Sequence, residues 1–165
     1  MSLLTVSEYV KLLNLKPHPE GGYYSESYRS SQHFEGSGEF PAGRKWATAI
    51  YFLIEQGNFS AFHRIKSDET WHFYAGDPLE VIEIDSRGEI KTTLVGSDIH
   101  NGMQFQYTVP AGLWFASRVY GEGNFSLVGC TVAPGFEYSD FELADRNALV
   151  TSYPHHRELI SSLTR

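Results

Sequence analysis

Apolar positions recur along this chain with two different periods. From residue 5 to 14 the period is helical: Val6, Tyr9, Val10 and Leu13 fall on one face. Thr5 followed three residues later by Glu8 fits a capping box, and Pro17 and Pro19 forbid continuation. After that the period drops to two. Tyr23–Arg29 places Tyr24, Glu26 and Tyr28 on one face, with Tyr23, Ser25, Ser27 and Arg29 on the other. That segment is either an edge strand with a solvated face or a wall of a ligand pocket. Residues 31–45 are rich in Gly, Ser and charge and read as a loop. Trp46–Ile54 is apolar on both faces, so it is covered on both sides, by another sheet or by a partner subunit.

Seven further strands follow: Phe59–Ile65, Glu69–Tyr74, Leu79–Asp85, Glu89–Val95, Met103–Val109, Leu113–Val119 and Ser126–Val132. Polar or Gly/Pro turns separate them, among them Lys66-Ser67-Asp68, Asp77-Pro78, Ser86-Arg87-Gly88 and Pro110-Ala111-Gly112. About nine short strands at regular intervals predict an all-β sandwich or barrel in a single domain. The N-terminal helix and arm take residues 1–31, the barrel about 46–133, and a C-terminal covering segment 134–165. Short helices are expected over 140–149 and 155–163. The aromatic run Phe136, Tyr138 and Phe141 suits a covering segment or a dimer contact.

The central hairpin carries the chemistry. Strict alternation groups Phe59, Ala61, His63 and Ile65 on one face, with Ser60, Phe62 and Arg64 opposite. On the next strand Glu69, Trp71 and Phe73 share a face, opposite Thr70, His72 and Tyr74. With apolar faces inward, His63 and Glu69 meet inside an aromatic interior. Such a pair can hold a metal, move a proton or orient a ligand. Tyr24, Glu26, His72, Tyr74, Gln104, Gln106 and Trp114 are the candidate ligand-binding residues around it. His72 needs a bulge to turn inward. Tyr74, Tyr107 and Tyr51 are candidates for a proton donor.

The stretch from Gly57 to Gly76 also resembles the first motif of the cupin superfamily, with Gly57, His63, Glu69 and Gly76 on the expected spacing. HPEGGYY, HRIKSDETWHFYAGDPLE, VPAGLWFA and LVGCTVAPGFEYSDFELAD together resemble a cupin family of unknown function found in bacteria and fungi. The resemblance implies a double-stranded β-helix, or jelly-roll barrel, and a homodimer. It implies four metal ligands, of which His63 and Glu69 are present while Ile65 and Phe115 occupy the other two places. A divalent metal therefore stands beside two other readings: a metal-free ligand site, and a hydrogen-bonded core histidine. Metal-free sugar-nucleotide epimerases of the cupin class use a His base and a Tyr acid, which makes an isomerase or epimerase acting on a sugar-like or small polar metabolite one expectation. A non-catalytic binding or sensing module is the alternative, and a structural dimer with an empty barrel the third.

Composition narrows the partners. Ten Tyr and eleven Phe in 165 residues suit broad apolar sheet faces. A net charge of −7 without a basic run argues against nucleic acid and anionic membranes as partners. No run of about 18 apolar residues is present. The N-terminus lacks the features of a secretory signal, and the one cysteine, Cys130, allows no internal disulfide, so a cytoplasmic setting is expected. Cys130 itself reads as a small core residue.

Overall fold

The computed structural model describes residues 4–38 and 40–165; residues 1–3 of the expected N-terminal arm and Glu39 of the expected loop lie outside the described residues. Two antiparallel sheets face each other. Helix α1 (Val6–Leu12) opens the chain, with both halves of the Thr5–Glu8 capping box formed. Strands β1 (Lys16–Pro17), β2 (Tyr23–Arg29), β3 (Thr48–Glu55), β4 (Phe59–Arg64), β5 (Asp68–Gly76), β6 (Leu79–Ile84), β7 (Ile90–Val95), β8 (Gln106–Val109), β9 (Trp114–Val119), β10 (Phe125–Ala133) and β11 (Glu142–Leu143) follow. Helices α2 (Arg146–Ser152) and α3 (Arg157–Ser162) close it. The six-stranded sheet runs β1-β2-β3-β10-β5-β8 and the five-stranded sheet β11-β4-β9-β6-β7. This is an all-β barrel as the strand pattern predicts, and the jelly roll that the cupin resemblance implies, with the short flanking helices. The nine expected strands are all present. The two additional ones are two-residue pairings at sheet edges, too short to carry a periodic signal.

The core lies between the sheets. Phe52, Trp71, Leu79, Val81, Phe115 and Val128 fill it, with Trp71 edge-on to both Phe52 and Phe115. The outer faces are covered by the terminal segments. Leu53, Phe125 and Leu127 sit under α1, where Tyr9 packs on Phe125 at 5.5 Å between ring centroids. This is why β3 is apolar on both faces: the cover is the protein's own helix. Trp46, placed at the start of that strand by its pattern, lies just outside it and is exposed. Ile82, Ile84, Phe62 and Ala116 pack against Leu149, Ile160 and Leu163 of the C-terminal segment.

Where β7 and β8, the edges of the two sheets, approach each other, a buried carboxylate bridges the gap. Tyr107 Oη donates to Glu83 Oε2 at 2.7 Å, and the Lys91 ammonium lies 3.3 Å from Glu83 Oε1 and also donates to the Tyr107 hydroxyl. Glu83, inside the wall, is thereby satisfied.

The two glycines that frame the central hairpin have different constraints. Gly57 has φ +83° and open space around it, whereas Gly76 has φ +87° and a side chain there would meet Phe125 O at 2.3 Å. Gly57→Ala should therefore cost only the left-handed backbone, about 1–2 kcal/mol. Gly76→Ala should cost at least about 1 kcal/mol more, because β10 must shift. Urea midpoints of the two variants check this; equal losses would show that the approach to β10 is not the constraint.

Candidate functional site

The site starts from a break in alternation. Strand β4 pairs Ser60 with Ser117 and then His63 with Phe115, so one extra residue is inserted between them. This bulge corrects the strict alternation expected from the sequence: Ser60 and His63, three residues apart, share the interior face, while Phe62 turns outward to the C-terminal helices. The ladder lost to the bulge is filled by the terminal segments. Ala61 N–H donates to Glu20 O and Phe62 N–H to Leu163 O, each at 2.8 Å.

Glu20 enters through the turn that precedes β2. Gly21 N–H bonds His18 O and His18 N–H bonds Gly22 O, each at 3.0 Å. Only glycine fits there: a side chain at Gly21 would meet Phe59 O at 2.0 Å, and both glycines have positive φ. The turn drives the Glu20 carboxyl into the barrel, where its Oε1 accepts from Ser60 Oγ at 2.8 Å and its Oε2 lies 3.3 Å from His63 Nε2. His63 Nδ1 is 2.7 Å from Ala61 O, and a carbonyl only accepts, so Nδ1 carries a proton. Nε2 of the neutral ring is then an acceptor facing Glu20. His18 Nδ1 accepts from Glu20 N–H at 3.3 Å and also lies 3.5 Å from Oε2. One carboxyl thus sits between two imidazole nitrogens.

Burial decides the charge. Desolvation raises Glu20 above the usual carboxylate range and lowers both His18 and His63. Each shift weakens the charged form of the group it acts on, so burial opposes an ion pair here. Desolvation also pushes Glu69 up to about 7, an effect that His63 opposes and Glu20 reinforces. Cys130 hydrogen-bonds Glu69, and burial followed by that carboxyl keeps its thiol well above the ordinary range, inert at neutral pH.

These groups form the floor of a cavity of about 310 Å³. Its walls are aromatic. Tyr24 and Tyr138 bring their hydroxyls within 3.1 Å of each other, and burial followed by this contact pushes Tyr138 up to about 12. His18 packs edge-on to Tyr24 and Phe141. Phe136, Tyr138 and Phe141 belong to the segment after β10, so this stretch, expected as a cover or dimer contact, is a pocket wall. Buried Arg44 pins it, donating to Gly135 O at 2.9 Å and to Asp140 Oδ2 at 2.5 Å. At the mouth Arg29 Nε and Nη2 clasp the Glu26 carboxylate while Nη1 reaches Glu137 at 2.9 Å.

Of the residues expected from the sequence, His63, Glu69, Tyr24 and Glu26 line this cavity. The others do not. His72 bonds Thr131 Oγ1 at 3.0 Å and Tyr74 packs near Tyr51. Both lie on the outer face of the six-stranded sheet: pairing with β10 is regular from Asp68 to Phe73, so nothing turns His72 inward, and the bulge in β5 comes after it, at Tyr74. Gln104 and Gln106 are exposed, and Trp114 lies outside the five-stranded sheet beneath the Arg64 guanidinium. Tyr51 shares the outer face with Tyr74, and Tyr107 belongs to the Glu83 bridge. Missing from the sequence reading were His18, Glu20, Tyr138 and Phe141. The available signal was Glu20 itself, a carboxylate set between a proline and two glycines.

The donor set does not fit the metal that the first motif suggests. Ile65 and Phe115 supply no donor atom at two of the four expected positions, and among the described residues no three His, Cys, Asp or Glu side chains are grouped to hold an ion. No helix of the described residues is long and apolar enough to cross a membrane.

The chain matches the family model described as Cupin superfamily (DUF985) over residues 7–144. It is 30% identical over 135 residues to the uncharacterized protein YML079W of Saccharomyces cerevisiae, covering 74% of this chain and 67% of that one. Two solved structures are similar over nearly their whole length. A hypothetical protein from Leishmania major has a TM-score of 0.90 at 39% identity, covering 98% of this chain and 99% of the other. Protein SO0799 from Shewanella oneidensis has a TM-score of 0.89 at 40% identity, covering 99% of each. Oxalate decarboxylase from Bacillus subtilis, at 17% identity and a TM-score of 0.55, covers 89% of this chain and 36% of its own and shares the fold.

A carboxyl raised on folding takes up a proton in the native state, so its contribution to stability is complete below the unfolded value of 4.5 and is lost as pH rises through about 7. Wild-type stability relative to Glu69→Gln should therefore fall by up to about 3 kcal/mol between those limits. His18 and His63, lowered on folding, act in the opposite sense, losing stability as pH falls; His18 cancels in the comparison, while His63, coupled to Glu69, cancels only in part. Urea unfolding of both proteins across this window reads the difference; a flat difference would show that Glu69 is ionised throughout.

Proposed function

The chain belongs to the Cupin superfamily (DUF985) family, and from that premise we propose that its barrel pocket is a metal-independent proton-transfer site for a small polar metabolite, of the isomerase or epimerase type. The observation that carries this is the imidazole of His63, protonated at Nδ1 by its bond to Ala61 O and presenting Nε2 to a carboxyl that can supply or receive a proton. A general base needs a fixed tautomer and a path for the proton it takes. Ala61 gives the first and Glu20 the second.

In this reading the ligand takes the place of the Glu20 carboxyl at His63 Nε2, which then takes a proton from a carbon beside a carbonyl. The electron pair moves onto the carbonyl oxygen, which accepts a proton from Tyr138, hydrogen-bonded to Tyr24. Return of a proton to the other face gives an epimer; return to the neighbouring carbon gives an isomer. Phe141 and Phe136 limit water. The cavity of about 310 Å³ is at the small end of ligand sites. It encloses a single small metabolite and not a whole sugar nucleotide.

The test is carbon-bound hydrogen exchange in D2O, followed by NMR over a panel of small oxo acids, hydroxy acids and sugars. Wild type should exchange one position in at least one compound. His63→Gln should slow it by about 10²–10⁴-fold with the fold intact by circular dichroism, and Tyr138→Phe should slow it less. Exchange unchanged in His63→Gln overturns the role of His63. Binding without any exchange would make the pocket a non-catalytic binding or sensing module.

A further inference from the structure

The reading above places the reacting carbon at the floor and leaves the rest of the ligand unspecified. The charges lining the cavity narrow it. On the floor, Glu20 and Glu69 face histidines. At the mouth, the Arg29 guanidinium is taken by Glu26 and Glu137. Lys16 remains. It sits on β1 opposite Tyr24, with Nζ 5.0 Å from the centre of that ring, and among the described residues it forms no ion pair. This is a chain with 20 acidic and 13 basic side chains, so a lining cation without a carboxylate partner goes against its overall balance. A cationic ligand would meet Lys16 as a like charge; an anionic one supplies the missing partner.

Between mouth and floor the walls are flat rings. His18 and Tyr138 are nearly parallel, 22° apart in plane with centroids at 6.5 Å, and Phe141 stands almost perpendicular to both at 6.1 and 6.2 Å. Aromatic walls favour a flat or apolar body. A cavity of about 310 Å³ holds about ten waters' worth of volume, which is one ring with a short chain.

We propose that the pocket receives a small monocarboxylate with a flat or apolar body, its carboxylate on the Lys16 ammonium and its far end at His63. One unpaired cation matches one negative charge. A phosphate monoester, carrying about two charges at neutral pH, would have to draw Arg29 away from both its glutamates. The proposal rests on the proton-transfer reading only for what happens at the far end; binding at Lys16 does not need turnover, so the two can fail separately.

Calorimetry with a series sharing one ring tests it: benzoate, phenylacetate and phenylpyruvate against benzamide and phenyl phosphate. At least one carboxylate should bind at millimolar concentration or below, and benzamide at least about tenfold more weakly, a difference of about 1.4 kcal/mol. Lys16→Gln should lose at least about tenfold for the carboxylate, while Lys16→Arg retains it. His63→Gln should still bind the carboxylate, even as it loses exchange. Equal affinity for benzamide, unchanged affinity in Lys16→Gln, tighter binding of phenyl phosphate, or no binding by any carboxylate would each overturn the proposal. Lys16 is exposed, so loss of the fold does not confuse the result.

Discussion

The structure turns on a carboxyl that has no business being neutral or buried on its own: Glu20, held between His63 and His18 inside an apolar barrel. An isolated ionised carboxylate there would cost many kcal/mol. The chain meets the cost locally. Ser60 donates to one oxygen, the imidazoles face the other, and desolvation raises the group's affinity for a proton. Each of these depends on the bulge in β4, which puts Ser60 and His63 on one face. The bulge in turn depends on the N-terminal turn and the C-terminus, whose backbone groups complete the broken ladder. The floor of the pocket and both ends of the chain are therefore one cooperative unit. Loosening the turn at Gly21 and Gly22 would expose the bulge, orphan Ser60 and release Glu20 into water at once.

The barrel keeps its other polar groups out of this unit. The Glu83, Lys91 and Tyr107 cluster lies past Phe115 and Trp71, across the core from His63. Its carboxylate is compensated by a lysine, whereas Glu20 is compensated by neutral hydrogen-bonding groups. The first arrangement is a fixed charge pair that ties two sheet edges together. The second leaves a proton shared among groups whose affinities have been brought closer by burial, which is what a proton-transfer site requires and a clamp does not.

Much of the fold was legible in the sequence because one physical rule, alternation with polar turns, governs most of it. The strands from β2 to β10, the capped N-terminal helix and the C-terminal helices follow that rule. The site was legible only where it obeyed the same rule. His63 and Glu69 point inward as expected, and so do Tyr24 and Glu26. His72, Tyr74, Gln104, Gln106 and Trp114 were drawn to the site by closeness in sequence or by chemistry, but the sheet geometry turns them away from it. Glu20 and His18 could not be placed by periodicity, because they enter on an irregular turn from a different part of the chain. Tyr138 and Phe141 come from a covering segment whose position is set by Arg44, a long-range ion pair with no local signature.

The separation of charge from chemistry in this pocket has a consequence for selectivity. Burial raises both Glu20 and Glu69, so negative charge is disfavoured at the floor. A ligand's own charge is then felt mainly at the mouth, where Lys16, Arg29, Glu26 and Glu137 stand in partial contact with solvent. On the proposed reading, recognition of charge at the mouth leaves the floor free to exchange a proton without first expelling or neutralising an ion. If the ionised group of a ligand instead reached the floor, it would raise the carboxyls further and hold His63 in place as their acceptor, and the base would be lost. A pocket whose unpaired cation, among the described residues, stands over Tyr24 and not against the Glu20–His63 pair avoids that conflict, with aromatic walls to frame the ligand between them.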